Sequence, residues 1–254
     1  MVQNKKEEIN QIGEVSKLFR YPVKSMKGIE ENELYISYSG VVGDRLCAFV
    51  RSEDKGSFPW LTARQAPEMI LYETAFTNPT INDESYVRDG LEKNSVTVTT
   101  PEGEKYDIES IELINHLSQK YNKDIFLRKS EAGMQDSRPV SIFNLKSLSK
   151  LEQETDLEID MLQFRMNIYA DFIFDAFQEE ELLNRKIMIG DTLELEINKK
   201  DARCKIITLN PKNAVANPAL HAHIAKEHEN CAGIYAVVLR EGLVKLNDPI
   251  YLID

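Results

Sequence analysis

Apolar and polar positions alternate with a period of two through several short stretches of the chain. Ser95-Val96-Thr97-Val98-Thr99 and Thr192-Leu193-Glu194-Leu195-Glu196-Ile197 alternate strictly, the pattern of strands with one buried face. Val15–Arg20, Glu33–Ser37, Leu46–Arg51, Met69–Tyr72, Lys205–Leu209, Ile234–Leu239 and Ile250–Leu252 read as further strands, separated by turns rich in Gly, Pro and Asn. Many short strands in this arrangement suggest a barrel or sandwich, not a doubly wound sheet.

A helical period appears in the middle of the chain. Ile111, Ile114, Leu117 and Tyr121 share one helical face, with Ser110 placed to cap it. Leu145, Leu148 and Leu151 mark a second helix, and Thr155 or Asp156 would cap a short third one. Asn217-Pro218 opens a helix expected to cover Ala219 to His228. The expected class is therefore mainly β with several helices, α+β. The polar, glycine-containing stretch at 123–137 places a boundary. The division is a polar tail over 1–13, a first domain over 14–130 and a second over 131–254.

Length suits two domains, since the chain has 254 residues. With 31 Lys and Arg against 42 Asp and Glu, the formal charge is −11. Such a surface repels phosphate backbones and anionic lipid, which speaks against nucleic-acid or membrane partners. No window approaches the roughly 18 apolar residues of a spanning helix. Met1 to Glu8 has no apolar export segment, so a cytoplasmic location is expected. The three cysteines, Cys47, Cys204 and Cys231, form no disulfide framework and cannot supply four thiolates to an iron–sulfur cluster. Electrons for any redox chemistry would then come from a bound cofactor or a partner.

Four clusters could carry chemistry. Lys24-Ser25 with Gly28, just after a strand, offers charge, a hydroxyl and free backbone N–H groups to an anion, although a solvated loop has the same composition. Arg45 in Gly43-Asp44-Arg45 could clamp a phosphate, or form a surface pair with Asp44. Thr62-Ala63-Arg64-Gln65 allows the same two readings. Arg165 and Asn167, two residues apart at a strand head, would face one side. Arg203-Cys204 sets a thiol beside a guanidinium, which suits a nucleophile or a soft-metal ligand, while a buried structural cysteine is the commoner case. Cys47 reads as core. His221, His223 and His228 share one helix at spacings that make no i, i+4 zinc pair, so a solvated helix face is expected.

In this order the segments resemble the MOSC family, the molybdenum cofactor sulfurase C-terminal domain and its relatives. The anchors are Tyr-Pro-Val-Lys-Ser at 21–25, Gly-Asp-Arg at 43–45, Thr-Ala-Arg-Gln at 62–65 and Pro139-Val140-Ser141 leading to Ser147-Leu148. Phe-Arg-x-Asn at 164–167, Ile189-Gly190-Asp191, Arg-Cys at 203–204 with Thr208 to Pro211, and Asn247 to Ile250 complete them. The resemblance implies an N-terminal β-barrel region before a MOSC β-barrel domain. It implies a molybdopterin cofactor whose molybdenum is held by Cys204, the catalytic position, with Lys24, Ser25 and Arg45 on its phosphate. Arg165 and Asn167 match pterin contacts, and Ser147 and Arg203 join the cofactor-binding set. The reductase members of the family act on small N-hydroxylated substrates with electrons from a separate transfer protein. A non-catalytic molybdopterin carrier, or a sulfur carrier using a Cys204 persulfide, is the alternative. Met166 stands where the family has proline, and Asn210-Pro211-Lys212-Asn213 departs from its acidic-glycine turn. Neither the iron–sulfur domain of some relatives nor the N-terminal anchor of others is expected here.

Overall fold

The computed structural model describes residues 10–77, 95–137 and 139–253. The first part of the chain forms β1 (Asn10–Arg20), β2 (Ile29–Glu31), β3 (Glu33–Ser37), β4 (Gly40–Val41), β5 (Cys47–Arg51), β6 (Glu73–Phe76), β7 (Val96–Thr99), β8 (Lys105–Asp107), α1 (Ile111–Tyr121) and β9 (Ile125–Lys129). The second forms β10 (Val140–Asn144), α2 (Leu145–Thr155), β11 (Ile168–Phe172), β12 (Lys186–Ile189), β13 (Leu193–Ala202), α3 (Ala219–Glu227), β14 (Cys231–Arg240), β15 (Gly242–Lys245) and β16 (Pro249–Leu252). Strands dominate, with three α-helices among the described residues.

Seven strands close a barrel in the order β11-β10-β14-β13-β12-β16-β1, with β1 pairing back onto β11. Closure satisfies every barrel edge internally. The alternation read from the sequence explains its filling. Leu193, Leu195 and Ile197 of β13 point inward and are fully buried, against Val15, Leu18, Ile187 and Ile250. Smaller sheets, β15-β3-β4, β5-β9 and β6-β7-β8, enclose a second core around Met26, Phe49, Met69 and Leu117. Two strands cross the 130/131 boundary: β1 is a stave of the barrel, and β15 pairs with β3. A third core, containing Phe19, Tyr21, Phe143, Phe164 and Tyr169, lies beneath α2 and α3.

The helix caps follow the sequence. Ser110 Oγ accepts from the Leu113 N–H at 3.2 Å, and Asn144 caps α2 through the Lys146 N–H at 3.1 Å. Several expectations are corrected. The tail at 1–13 is cut short, because Asn10 to Gly13 already belong to β1, and residues 1–9 lie outside the described residues. Pro67–Leu71 is a 3₁₀ turn where a strand was expected, since Pro67 sets a helical φ at its first position. Lys205–Thr208 is another 3₁₀ turn, closed by Thr208 Oγ1–H donating to the Lys205 carbonyl at 2.7 Å. Asp156 does not start a helix; it ends α2 in the left-handed conformation, and Asp160 with Gln163 boxes a single turn instead. Among the described residues no helix is long and apolar enough to cross a membrane.

Candidate functional site

Loops that leave β1, β4 and β13 and those that enter β10 and β11 meet around a cavity of about 280 Å³. Lys24, Ser25, Arg45, Arg165, Asn167, Arg203 and Cys204 all line it. Six cationic groups, Lys24, Arg45, Arg64, Arg165, Lys199 and Arg203, face only two carboxylates, Asp136 and Asp201. In a chain of net charge −11, that local excess gives the cavity a positive character.

Three non-glycine residues of the wall are in left-handed backbone: Ser25 (φ 69), Arg45 (φ 47) and Arg165 (φ 57). This conformation is disfavoured for residues carrying a Cβ, and its clustering at one cavity is typical of functional sites. At Arg165 it also overturns the expected strand alternation, because the chain turns there before β11 begins at Ile168.

Each cation is oriented by specific neighbours. Lys24 Nζ donates to the Met134 carbonyl at 2.7 Å and pairs with Asp136, and it lies 5.6 Å from the Phe58 ring centroid. Burial lowers its pKa, while Asp136 opposes the shift. Gly43-Asp44-Arg45 is not a surface pair. Asp44 is buried, accepts from the Tyr21 N–H at 2.8 Å, and pairs with Arg45. Arg45 also donates to the Arg165 carbonyl at 3.0 Å. The guanidinium carbons of Arg45 and Arg165 each sit 4.5 Å from the Tyr21 ring centroid. Burial, with repulsion from Arg45, lowers the Arg165 pKa to about 10. Arg165 donates to the Met26 carbonyl at 2.8 Å and has no carboxylate partner within ion-pair distance among the described residues.

Cys204 lies two residues past the end of β13. Its approach is fixed by the preceding carbonyl of Arg203, which accepts from Asn230 Nδ2 at 3.0 Å and lies 3.2 Å from His221 Nε2. The Arg203 guanidinium is engaged by Asp201 and by the Phe164 carbonyl at 2.7 Å, and its buried Nε–H has no acceptor among the described residues. Burial raises the pKa of both Asp201 and Tyr235, whose hydroxyl hydrogen-bonds Asp201.

Asn167 lines the cavity, but its amide clasps the fold. Its Oδ1 accepts from Ser141 Oγ at 3.0 Å, and its Nδ2 donates to the Phe19 carbonyl at 3.2 Å, tying β1, β10 and β11. Ser147 is corrected: it is buried away from the cavity, with Oγ 2.9 Å from Glu179 Oε1 and accepting from the Phe177 N–H at 2.8 Å. The Met166 N–H donates to Tyr169 Oη at 3.3 Å, a bond that a proline at this position could not make. Sequence reading missed Asp136, Lys199, Asp201 and Tyr235 as site residues. Tyr235 reads as a strand position, and Lys199 and Asp201 lie past the alternation that ends at Ile197; β13 runs on to Ala202, and its register with β14, Lys199 opposite Tyr235, brings them to the wall.

The family model described as MOSC N-terminal beta barrel domain matches residues 12–137, and that described as MOSC domain matches residues 129–251. Human mitochondrial amidoxime-reducing component 1 is 24% identical over 96% of this chain and 84% of its own. Rat mitochondrial amidoxime reducing component 2 is 21% identical over 97% and 85%. Among solved structures, the YUAD protein from Bacillus subtilis superposes with a TM-score of 0.49 and 14% identity, covering 94% of each chain.

Proposed function

The chain belongs to the MOSC family, and on that premise we propose that it is a molybdenum-cofactor oxidoreductase that reduces small N-hydroxylated compounds. One observation carries the reading: a single thiol, Cys204, opens onto the same cavity as an excess of cationic donors. The residues present fit that group. A thiolate is a soft donor suited to molybdenum, and the unpaired Arg165 charge and the Arg203 Nε–H without an acceptor call for an anionic, hydrogen-bond-accepting occupant. The amidoxime-reducing components named above favour the N-hydroxylated class.

Cys204 would hold the metal, and Lys24, Ser25 and Arg45 the cofactor's phosphate. Arg165 would bind its pterin edge, with Asn167 fixing the loop that presents Arg165. When bound, the cofactor supplies two-electron chemistry at molybdenum. The overall change is balanced by two electrons and two protons: the N–O bond breaks, nitrogen takes one proton, and the hydroxyl takes the other and leaves as water. Asp201 and Tyr235 are hydrogen-bonded to each other at the wall, and burial shifts both toward their neutral forms while Arg203 opposes the shift. The electrons would come from a separate transfer protein, in the cytoplasm, with no nucleic-acid or membrane partner. The test is turnover of an amidoxime with reduced viologen as donor, using cofactor-loaded protein. We expect amidine product from the native chain and none from Cys204→Ser. Equal turnover by both would overturn the assignment.

A further inference from the structure

We propose that Glu154, His223 and His228 form a divalent transition-metal site, distinct from the cavity of Cys204, that braces α2 against α3. Helical spacing alone separates the two histidines, and His223 does sit within α3. His228, however, lies past the helix end with a φ of −127°, which turns its ring back toward α2. The third group comes from the last turn of α2. The ligating atoms of all three residues lie within 4.8 Å of one another.

The arrangement is specific. His223 Nε2 and His228 Nε2 both approach the same oxygen, Glu154 Oε2, at 2.9 and 2.7 Å. Lys150 takes the other oxygen, Oε1, at 3.4 Å. The His228 ring stacks on Phe177 at 3.9 Å and 18°, which fixes its plane. Glu227 adds a second negative charge nearby. A tetrahedral zinc with bonds of about 2.0–2.1 Å holds its donors roughly 3.3 Å apart, so small side-chain shifts suffice. Two imidazoles and one carboxylate suit zinc, copper or nickel, with solvent completing the shell. In the metal-free protein the same atoms are joined by hydrogen bonds, so the metal displaces the protons on the two Nε2 atoms.

The test is a Zn²⁺ titration of the tag-free full-length chain in competition with a chromophoric chelator, alongside thermal melting. Cys204→Ser is titrated in parallel, because a cavity thiol can also take zinc. We expect one zinc equivalent that Cys204→Ser retains. His223→Ala and His228→Ala should each weaken it by more than about tenfold, the least that loss of even a ligand's supporting hydrogen bond costs. Zinc should raise the melting temperature of the native chain and not that of the histidine variants. A cooperative melting transition without metal would show that they fold. No bound zinc in the native chain, or binding unaltered by both histidine substitutions, would overturn the site.

Discussion

Replacing Glu179 by glutamine removes the contribution of one buried carboxyl to the pH dependence of this protein's stability. Glu179 is fully buried in the Gln178–Leu182 turn, against Ser147 and Asn144. Its partners are Ser147 Oγ, 2.9 and 3.2 Å from its two oxygens, and Asn144 Nδ2, 3.2 Å from Oε2. Burial pushes its carboxyl up from 4.5 to about 7, despite the pull of these hydrogen bonds in the other direction. The folded chain therefore keeps this proton up to about pH 7, whereas the unfolded chain releases it near 4.5. Between those values folding takes up a proton, so stability falls as pH rises through the window and levels off above it. At about 1.4 kcal/mol per pH unit, the loss is about 3 kcal/mol. Glutamine reproduces the donor and acceptor of the protonated acid without the titration. Urea unfolding followed by circular dichroism at pH 4.5 and pH 8 measures the difference. Relative to the native chain, Glu179→Gln should gain about 3 kcal/mol between the two pH values, or roughly 6–12 °C in melting temperature. Parallel pH profiles would refute the reasoning, because they would mean that Glu179 carries its charge throughout.

Asn167→Ala should destabilise the barrel by about 1–3 kcal/mol for each buried group it leaves unpaired, Ser141 and the Phe19 carbonyl among them; a denaturant midpoint unchanged from the native chain would contradict the clasp. Gly233 has φ +89, and a Cβ there would lie 2.5 Å from Met166 Cε, so Gly233→Ala should cost about 1–3 kcal/mol by overpacking, read as a lowered melting temperature. Arg165→Ala should leave the fold intact and lower the pterin retained after desalting; undiminished retention would argue that its unpaired charge serves no ligand.

The elements that were legible in the sequence are those whose pattern is local. Alternation along Thr192 to Ile197 gave β13, and Ser110 before a run of apolar positions at helical spacing gave α1, because the residues that decide each outcome lie within it. The two 3₁₀ turns were misread because a short apolar run carries no period, and a proline or one threonine side chain decides. The cavity's loops could be named from motif order, yet their roles could not. Asp44 reads as a surface partner until the fold buries it under Tyr21, and Ser147 reads as a binding residue until α2 turns it to Glu179. His223 and His228 looked unrelated because their shared partner, Glu154, lies on another helix. In each case the missing information is long-range pairing, which periodicity does not contain.

The most direct test of the account is molybdenum and pterin content per chain, measured on protein purified from a host that makes the cofactor. The native chain should carry both near one equivalent. Cys204→Ser should lose the molybdenum while it melts at the native temperature. Molybdenum retained in full by Cys204→Ser, or absent from the well-folded native chain, would contradict the claim that this thiol and its cationic cavity hold a molybdenum cofactor.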